Sequence, residues 1–187
     1  MTTSLPYHPA AASLVANPPR WTLRLQRTFA QDRDAVWQAI TDPDALARWT
    51  PIRPDRVLTS TGPVRLTAVD GSNGVHDSQV RAVSAPESLT YLWGDDQLRF
   101  SLFEEGDGTL MTLAHTMDDH NAAASTAAGW HLCLGALELL LNGEDVPSVV
   151  GEKAKAFGWD DLEREYRALF DEQTDASIPG DKTDQDE

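Results

Sequence analysis

Residues 129–145, GWHLCLGALELLLNGED, decide how the rest of the chain must be arranged. At helical spacing the polar or small residues His131, Gly135, Glu138 and Asn142 fall at i, i+4, i+7 and i+11, one narrow stripe on a helix that is otherwise apolar. A surface helix needs a single apolar face. This one therefore predicts cover on nearly every side, from other segments of the chain, from a second copy, or from a bound molecule. Asp118, Asp119, Asn121 and Ser125 offer N-cap chemistry ahead of a start near Ala124, and Asn142-Gly143 offers a left-handed end.

Upstream, residues 56–116 show period two, cut by turn residues at Thr61-Gly62-Pro63, Asp70 to Gly74, Ala85-Pro86, Gly94-Asp95-Asp96 and Glu105 to Gly108. The spacing predicts a meander of about five antiparallel strands. Leu89, Tyr91 and Trp93 share one side of their strand, as do Leu98, Phe100 and Leu102, and Met111, Leu113 and His115. A sheet with one apolar face must bury it, and the long helix is the only element large enough to do so.

Before the meander, WTLRLQRTF (21–29) alternates as a half-buried strand. Two short helices come next. The first begins near Asp32 and carries Val36, Trp37 and Ile40; Asp42 caps the second, with Pro43 at its first position losing no hydrogen bond. At the other end, WDDLEREYRALF aligns Trp159, Leu162, Tyr166 and Leu169 as an amphipathic helix. It is able to roof part of the long helix, with Val146 to Val150 as the crossing loop. The chain thus divides into a flexible, Pro-containing arm (1–20), a single domain (21–170) and an acidic, apolar-poor tail (171–187) expected to be disordered.

Composition narrows the function. The formal net charge of −15 argues against nucleic acid, which demands Lys and Arg to neutralise phosphates. The opening residues carry no basic leader, and the longest apolar runs are broken by Gly, Glu or Asp before the roughly 20 residues that a bilayer requires, so membrane insertion is not expected. The lone Cys133 cannot form an internal disulfide, which fits the cytoplasm, and it suits a small core position. His115, His120 and His131 stand 5 and 11 residues apart and match no closed metal-ligand motif. His131 lies on the polar stripe, at solvent or an interface, and outside any site. GDGT (106–109) and DGSNG (70–74) read as turns, and neither precedes a helix that would cradle phosphate. No metal and no cofactor is implied.

Four motifs in order, RTFAQDRDAVWQAITDPDALARW, LTYLW, GTLMTLAHT and GWHLCLGALELLL, resemble bacterial proteins similar to the activator of the 90 kDa heat-shock protein ATPase, within the START and birch-allergen (SRPBCC) superfamily. The resemblance spans roughly residues 24–141. It implies an α+β helix-grip fold: a curved antiparallel sheet wrapped around a long C-terminal helix, two short helices after the first strand, and an apolar cavity between sheet and helix. The resemblance also implies binding of a small hydrophobic or amphipathic molecule, although one fold serves many functions. The candidate lining residues are Trp49, Trp93, Phe100, Leu113, His115, Trp130, Leu134 and Leu137. Trp93 and Trp130 sit where the family's cavity opens, and His115 is the polar group that would fix orientation. A Trp or Leu on the inner face of a sheet is more often plain core, and Trp93 and Trp130 are the stronger site candidates of the eight.

Two other readings stay open. A cyclase- or hydratase-type enzyme would use His115, with Tyr91 as the nearest second polar group, though no nucleophile, base and oxyanion device appear together. An interaction-only protein would fill the cavity with its own tryptophans, and homodimerisation through the apolar helices is compatible with either class. The eukaryotic activators carry a further chaperone-binding domain for which this chain has no room, so a chaperone partner is not expected.

Overall fold

Eight antiparallel strands form one sheet in the computed structural model, which describes Leu5, residues 11–72 and residues 74–176. In chain order the elements are β1 (Ala11–Asn17), β2 (Arg20–Phe29), α1 (Arg33–Thr41), α2 (Pro43–Trp49), β3 (Ile52–Pro54), β4 (Gly62–Ala68), β5 (Val75–Ser84), β6 (Ser88–Trp93), β7 (Asp96–Glu105), β8 (Gly108–Met117), α3 (Ala123–Leu141) and α4 (Trp159–Ala176). The strands lie in the order β1-β2-β8-β7-β6-β5-β4-β3. The first long strand therefore closes against the last, Leu23 opposite His115, and the curled sheet holds α3 in the helix-grip arrangement.

Local chemistry explains the element ends. The predicted meander is β4 to β8, and two-residue turns at Gly94-Asp95 and Gly106-Asp107 join its last three strands. Both glycines take φ of 60°, a conformation that side chains rarely adopt. Asp32 Oδ1 accepts from Ala35 N at 2.9 Å to start α1. Asp42 Oδ1 accepts from both Asp44 N and Ala45 N at 2.9 Å, with Pro43 opening α2. Asp119 caps a single 3₁₀ turn, His120–Ala122, one step ahead of α3 itself. At the far end Gly143 (φ 74°) donates to Leu140 O, and Glu144 N donates to Leu139 O, a Schellman ending.

The eight consecutive residues Trp130 to Leu137 are all buried. Eight residues make more than two turns, so α3 has no direction open to water over that length. The inward sheet face supplies Leu23, Leu25, Leu98, Phe100 and Leu113, and α4 supplies Leu162, Tyr166 and Phe170. By length and composition alone His120–Leu141 could cross a membrane. The breaks at Gly and Glu do not rule that out, but its burial by sheet and α4 is that of a core helix.

Three boundaries and placements differ from the sequence reading. Residues 11–17 do not form a flexible arm; they are an edge strand paired with β2 from Ala11↔Gln26 to Asn17↔Arg20. Gln173 of α4 covers that edge, accepting from Leu14 N and donating to Ala12 O, both at 3.1 Å. An alanine-rich edge strand has too weak an alternation to announce itself. The expected tail begins later, because α4 continues to Ala176. The remainder of the tail, 177–187, and of the arm, 1–4 and 6–10, lies outside the described residues. Finally, His131 is buried, and its Nδ1 lies 2.8 Å from the Tyr166 hydroxyl, so α4 covers this part of the polar stripe.

Gly108 marks a close approach, since a Cβ there would stand 2.2 Å from the Phe29 carbonyl oxygen. In urea titrations Gly108→Ala is expected to lower the unfolding free energy by roughly 1–3 kcal/mol, and Asp42→Ala by about 1 kcal/mol through loss of the α2 cap. An unchanged midpoint for Gly108→Ala would show that the crossing after β2 is looser than this.

Candidate functional site

Thr126, Gly129, Trp130 and Cys133 recur at i, i+3, i+4 and i+7, so they share one face of α3. That face borders a cavity of about 470 Å³. Its sheet side is Trp93 and Asp96, flanking the β6–β7 turn, and His115 on β8; Pro51 follows α2. The remaining wall comes from Val149, Val150, Gly151 and Ala154 of the crossing segment and from Trp159 at the start of α4. A Cβ built on Gly129 meets nothing within 4 Å, so the helix surface there opens directly into the space.

Strand register brings the polar groups together. Leu98 pairs with His115, and Asp96, two residues before Leu98, points to the same side. Trp130 Nε1–H donates to His115 Nδ1 at 3.0 Å, while His115 Nε2 lies 2.8 Å from Asp96 Oδ2. An indole N–H can only donate, so Nδ1 must hold a lone pair and the ring proton resides on Nε2, donating to Asp96. His115 is thus neutral with both nitrogens engaged. Burial pushes it below the ordinary imidazole range, against the opposing pull of the Asp96 hydrogen bond and charge. Asp96 Oδ1 faces Arg20 Nη2 at 3.3 Å, and Arg20 also donates from Nε to Asp118 Oδ1 at 2.6 Å and from Nη2 to Asp95 O at 2.9 Å.

Aromatic packing fixes the rings. Trp93 stacks over His115 with centroids 6.3 Å apart and meets Trp130 edge-on at 5.8 Å. Behind Trp130 stand Phe100 at 6.3 Å and Trp49 at 6.4 Å, and the Trp49 indole is itself tied to Ala39 O at 3.0 Å. These contacts leave Trp130 one orientation, the one that reaches His115.

Of the eight residues singled out from sequence, Trp93, His115 and Trp130 line the cavity. Trp49 and Phe100 are fully buried supports of Trp130, and Leu113, Leu134 and Leu137 belong to the closed core. Leu134 and Leu137 lie one and two turns further along α3 than Trp130, where sheet side chains fill the space. Tyr91 is not the partner of His115: Leu98 stands between them across the sheet. Among the described residues the buried Tyr91 hydroxyl has no hydrogen-bond partner, and burial with Cys133 nearby pushes its pKa upward. Cys133 is buried as expected and also borders the cavity; burial pushes its thiol up to about 12, which leaves it protonated and unreactive.

Asp96, Trp159 and the crossing segment escaped the sequence reading. Asp96 was legible as the inward-pointing member of the series 96, 98, 100 and 102, but its place beside Gly94-Asp95 disguised it as a turn residue. Trp159 and Val149 to Ala154 are brought in by the α3-to-α4 crossing, for which no local pattern exists. Among the described residues no three His, Cys, Asp or Glu side chains are placed to hold a metal ion.

Comparison with known proteins agrees with this architecture. A family model described as activator of Hsp90 ATPase homolog 1-like protein matches residues 30–142. No curated protein matches the chain. Among solved structures, a conserved protein of unknown function from Enterococcus faecalis aligns with a TM-score of 0.70 at 14% identity, covering 90% of this chain and 93% of that one. The solution structure of CalU16 from Micromonospora echinospora aligns with a TM-score of 0.66 at 19% identity, covering 95% and 100%. A Bordetella parapertussis protein aligns at 0.61 and 21% identity, covering 89% and 93%. At these identities the likeness is one of fold. The family match, running from the end of β2 to the end of α3, makes this chain a member of the activator of Hsp90 ATPase homolog 1-like family.

Proposed function

We propose that the chain binds a small hydrophobic or amphipathic molecule in the space enclosed by α3, the Trp93–His115 end of the sheet and the crossing segment. The observation that carries this reading is the wall itself: a cavity of about 470 Å³ in which Trp93, Trp130 and Trp159 surround one fixed polar pair, His115 and Asp96. Ligand sites are typically clefts of about 300–1,000 Å³ with mostly apolar walls and a few placed polar groups. Membership of a family with a ligand-binding fold supports it. The single buried thiol suits a reducing compartment, and the reading places the protein in the cytoplasm.

The cyclase- or hydratase-type alternative requires a free base. His115 has none to offer, because Trp130 occupies one nitrogen and Asp96 the other. Any proton acceptor at this wall is the Asp96 carboxylate, with His115 as the group that positions it.

Gly129→Phe projects a ring into open space and is expected to remove bound molecules from the protein as purified from its host, seen by native mass spectrometry, while the thermal midpoint stays within a few degrees. Unchanged occupancy in that variant would place the ligand elsewhere. A second expectation concerns pH. The folded-state pKa of His115 lies below its ordinary 6.5, so the unfolded chain takes up the proton first. The stability from this site is complete above that value and is lost as pH falls toward the folded pKa. The urea midpoint of the wild type should therefore drop more steeply between about pH 7 and 5 than that of His115→Gln; parallel profiles would refute the neutral-imidazole assignment.

A further inference from the structure

We propose that the occupant of the cavity is an organic cation, an amine or quaternary ammonium carried on an apolar body, with its charged nitrogen beside the Asp96 carboxylate and among the indole rings. The proposal rests on the cavity reading above and specifies the ligand class.

The charges at the wall do not cancel. Among the described residues lining the cavity, Asp96 is the single Asp, Glu, Lys or Arg. Its nearest cation, Arg20, is shared: Nε serves Asp118 at 2.6 Å, while Nη2 serves Asp95 O at 2.9 Å and Asp96 at 3.3 Å. One guanidinium thus answers two carboxylates. His115 adds no charge, because its Nδ1 must stay unprotonated to accept from Trp130. The cluster Arg20, Asp96, Asp118 and His115 therefore carries one uncompensated negative charge. It also has capacity to spare: a carboxylate offers about four acceptor sites, and among the described residues the Asp96 oxygens have one partner each, Arg20 and His115. The Asp96 side chain is 35% exposed, so this capacity is reachable.

The apolar part of the wall has matching chemistry. Trp93, Trp130 and Trp159 line the same space as Asp96. Indole is the best of the aromatic partners for a cation, and the attraction grows when water is excluded. A net charge of −15 over the whole chain adds a field that concentrates cations and repels anions. An anionic amphiphile would place its head against Asp96 with no lining Lys or Arg to receive it. A neutral one would leave the extra charge unanswered.

Three probes with one apolar body separate these cases: octyltrimethylammonium, octan-1-ol and octanoate, titrated calorimetrically into the full chain at low ionic strength below their micelle concentrations. The wild type is expected to bind the cation at least tenfold more tightly than the alcohol, and octanoate most weakly. High salt and Asp96→Asn should each bring cation and alcohol to within threefold of one another, and Gly129→Phe should abolish binding of all three. Alcohol or octanoate binding as tightly as the cation, still abolished by Gly129→Phe, would overturn the charge assignment and leave the cavity reading standing. Binding of none of the probes, or binding indifferent to Gly129→Phe, would overturn both. Should Asp96→Asn fail to fold, the order of the three probes on the wild type and its salt response decide the matter unaided.

Discussion

A helix without a polar face cannot be left in water, and α3 imposes that constraint on everything around it. Burying a leucine is worth about 1.5–3 kcal/mol, and Leu132, Leu134, Leu137 and Leu139 are all buried on this one element. No single sheet face can cover a helix on all sides. The curled sheet takes one side and α4 the other, with Tyr166 meeting His131 along the seam. The strand order is part of the same solution, because pairing β2 with β8 places inward residues from both ends of the domain beside the helix. Even the edge strand β1 is held by this arrangement, through Gln173 of the helix that roofs α3.

The cover is incomplete at the candidate site. Toward the N-terminal half of α3 the inward residues shrink to Thr126 and Gly129, and the opposing wall is the crossing segment with its 3₁₀ helix Gly151–Phe157 instead of an α-helix. A protein interior is packed closely enough that a space of this size is a property of the fold. What keeps it from collapsing is the rigidity of its aromatic rim: Trp130 is wedged by Trp49, Phe100 and Trp93 and anchored by a hydrogen bond to His115.

A polar relay runs across that rim, from Trp130 on α3 through His115 on β8 and Asp96 on β7 to Arg20 on β2. A buried polar group without a partner costs about 1–3 kcal/mol, so each link needs the next. The relay sets the protonation of His115: both imidazole nitrogens are committed, and the Asp96 carboxylate is the group with acceptor capacity to spare. About a quarter-turn around α3 from Trp130, a second polar pair joins the buried Arg27 to the partly buried Glu138 at 3.6 Å. The two seams hold the helix in one rotational setting, since turning it would leave charges or ring nitrogens unanswered.

The sequence by itself determined most of the elements, though not the edge strands β1 and β3, and the family resemblance supplied the way they assemble. Period two in 56–116, the Asp42-Pro43 restart, the left-handed Asn142-Gly143 ending and the unbroken apolar helix are local patterns set by backbone geometry and burial, and each corresponds to an observed element. Alternation also assigns Trp93 and His115 to the inward face of their strands, while the family resemblance singles out Trp130. Tertiary structure alone decided the rest. Whether Leu113, Leu134 or Leu137 borders a cavity or fills the core depends on where the sheet closes on α3, which no periodicity encodes. The partner of His115 depends on the register between β7 and β8, which brings Asp96 to the ring and leaves Leu98 between it and Tyr91. Trp159 and the crossing segment reach the site only through the α3–α4 connection. Patterns along a chain report which way a side chain points, and what it meets there is settled by the packing of distant segments.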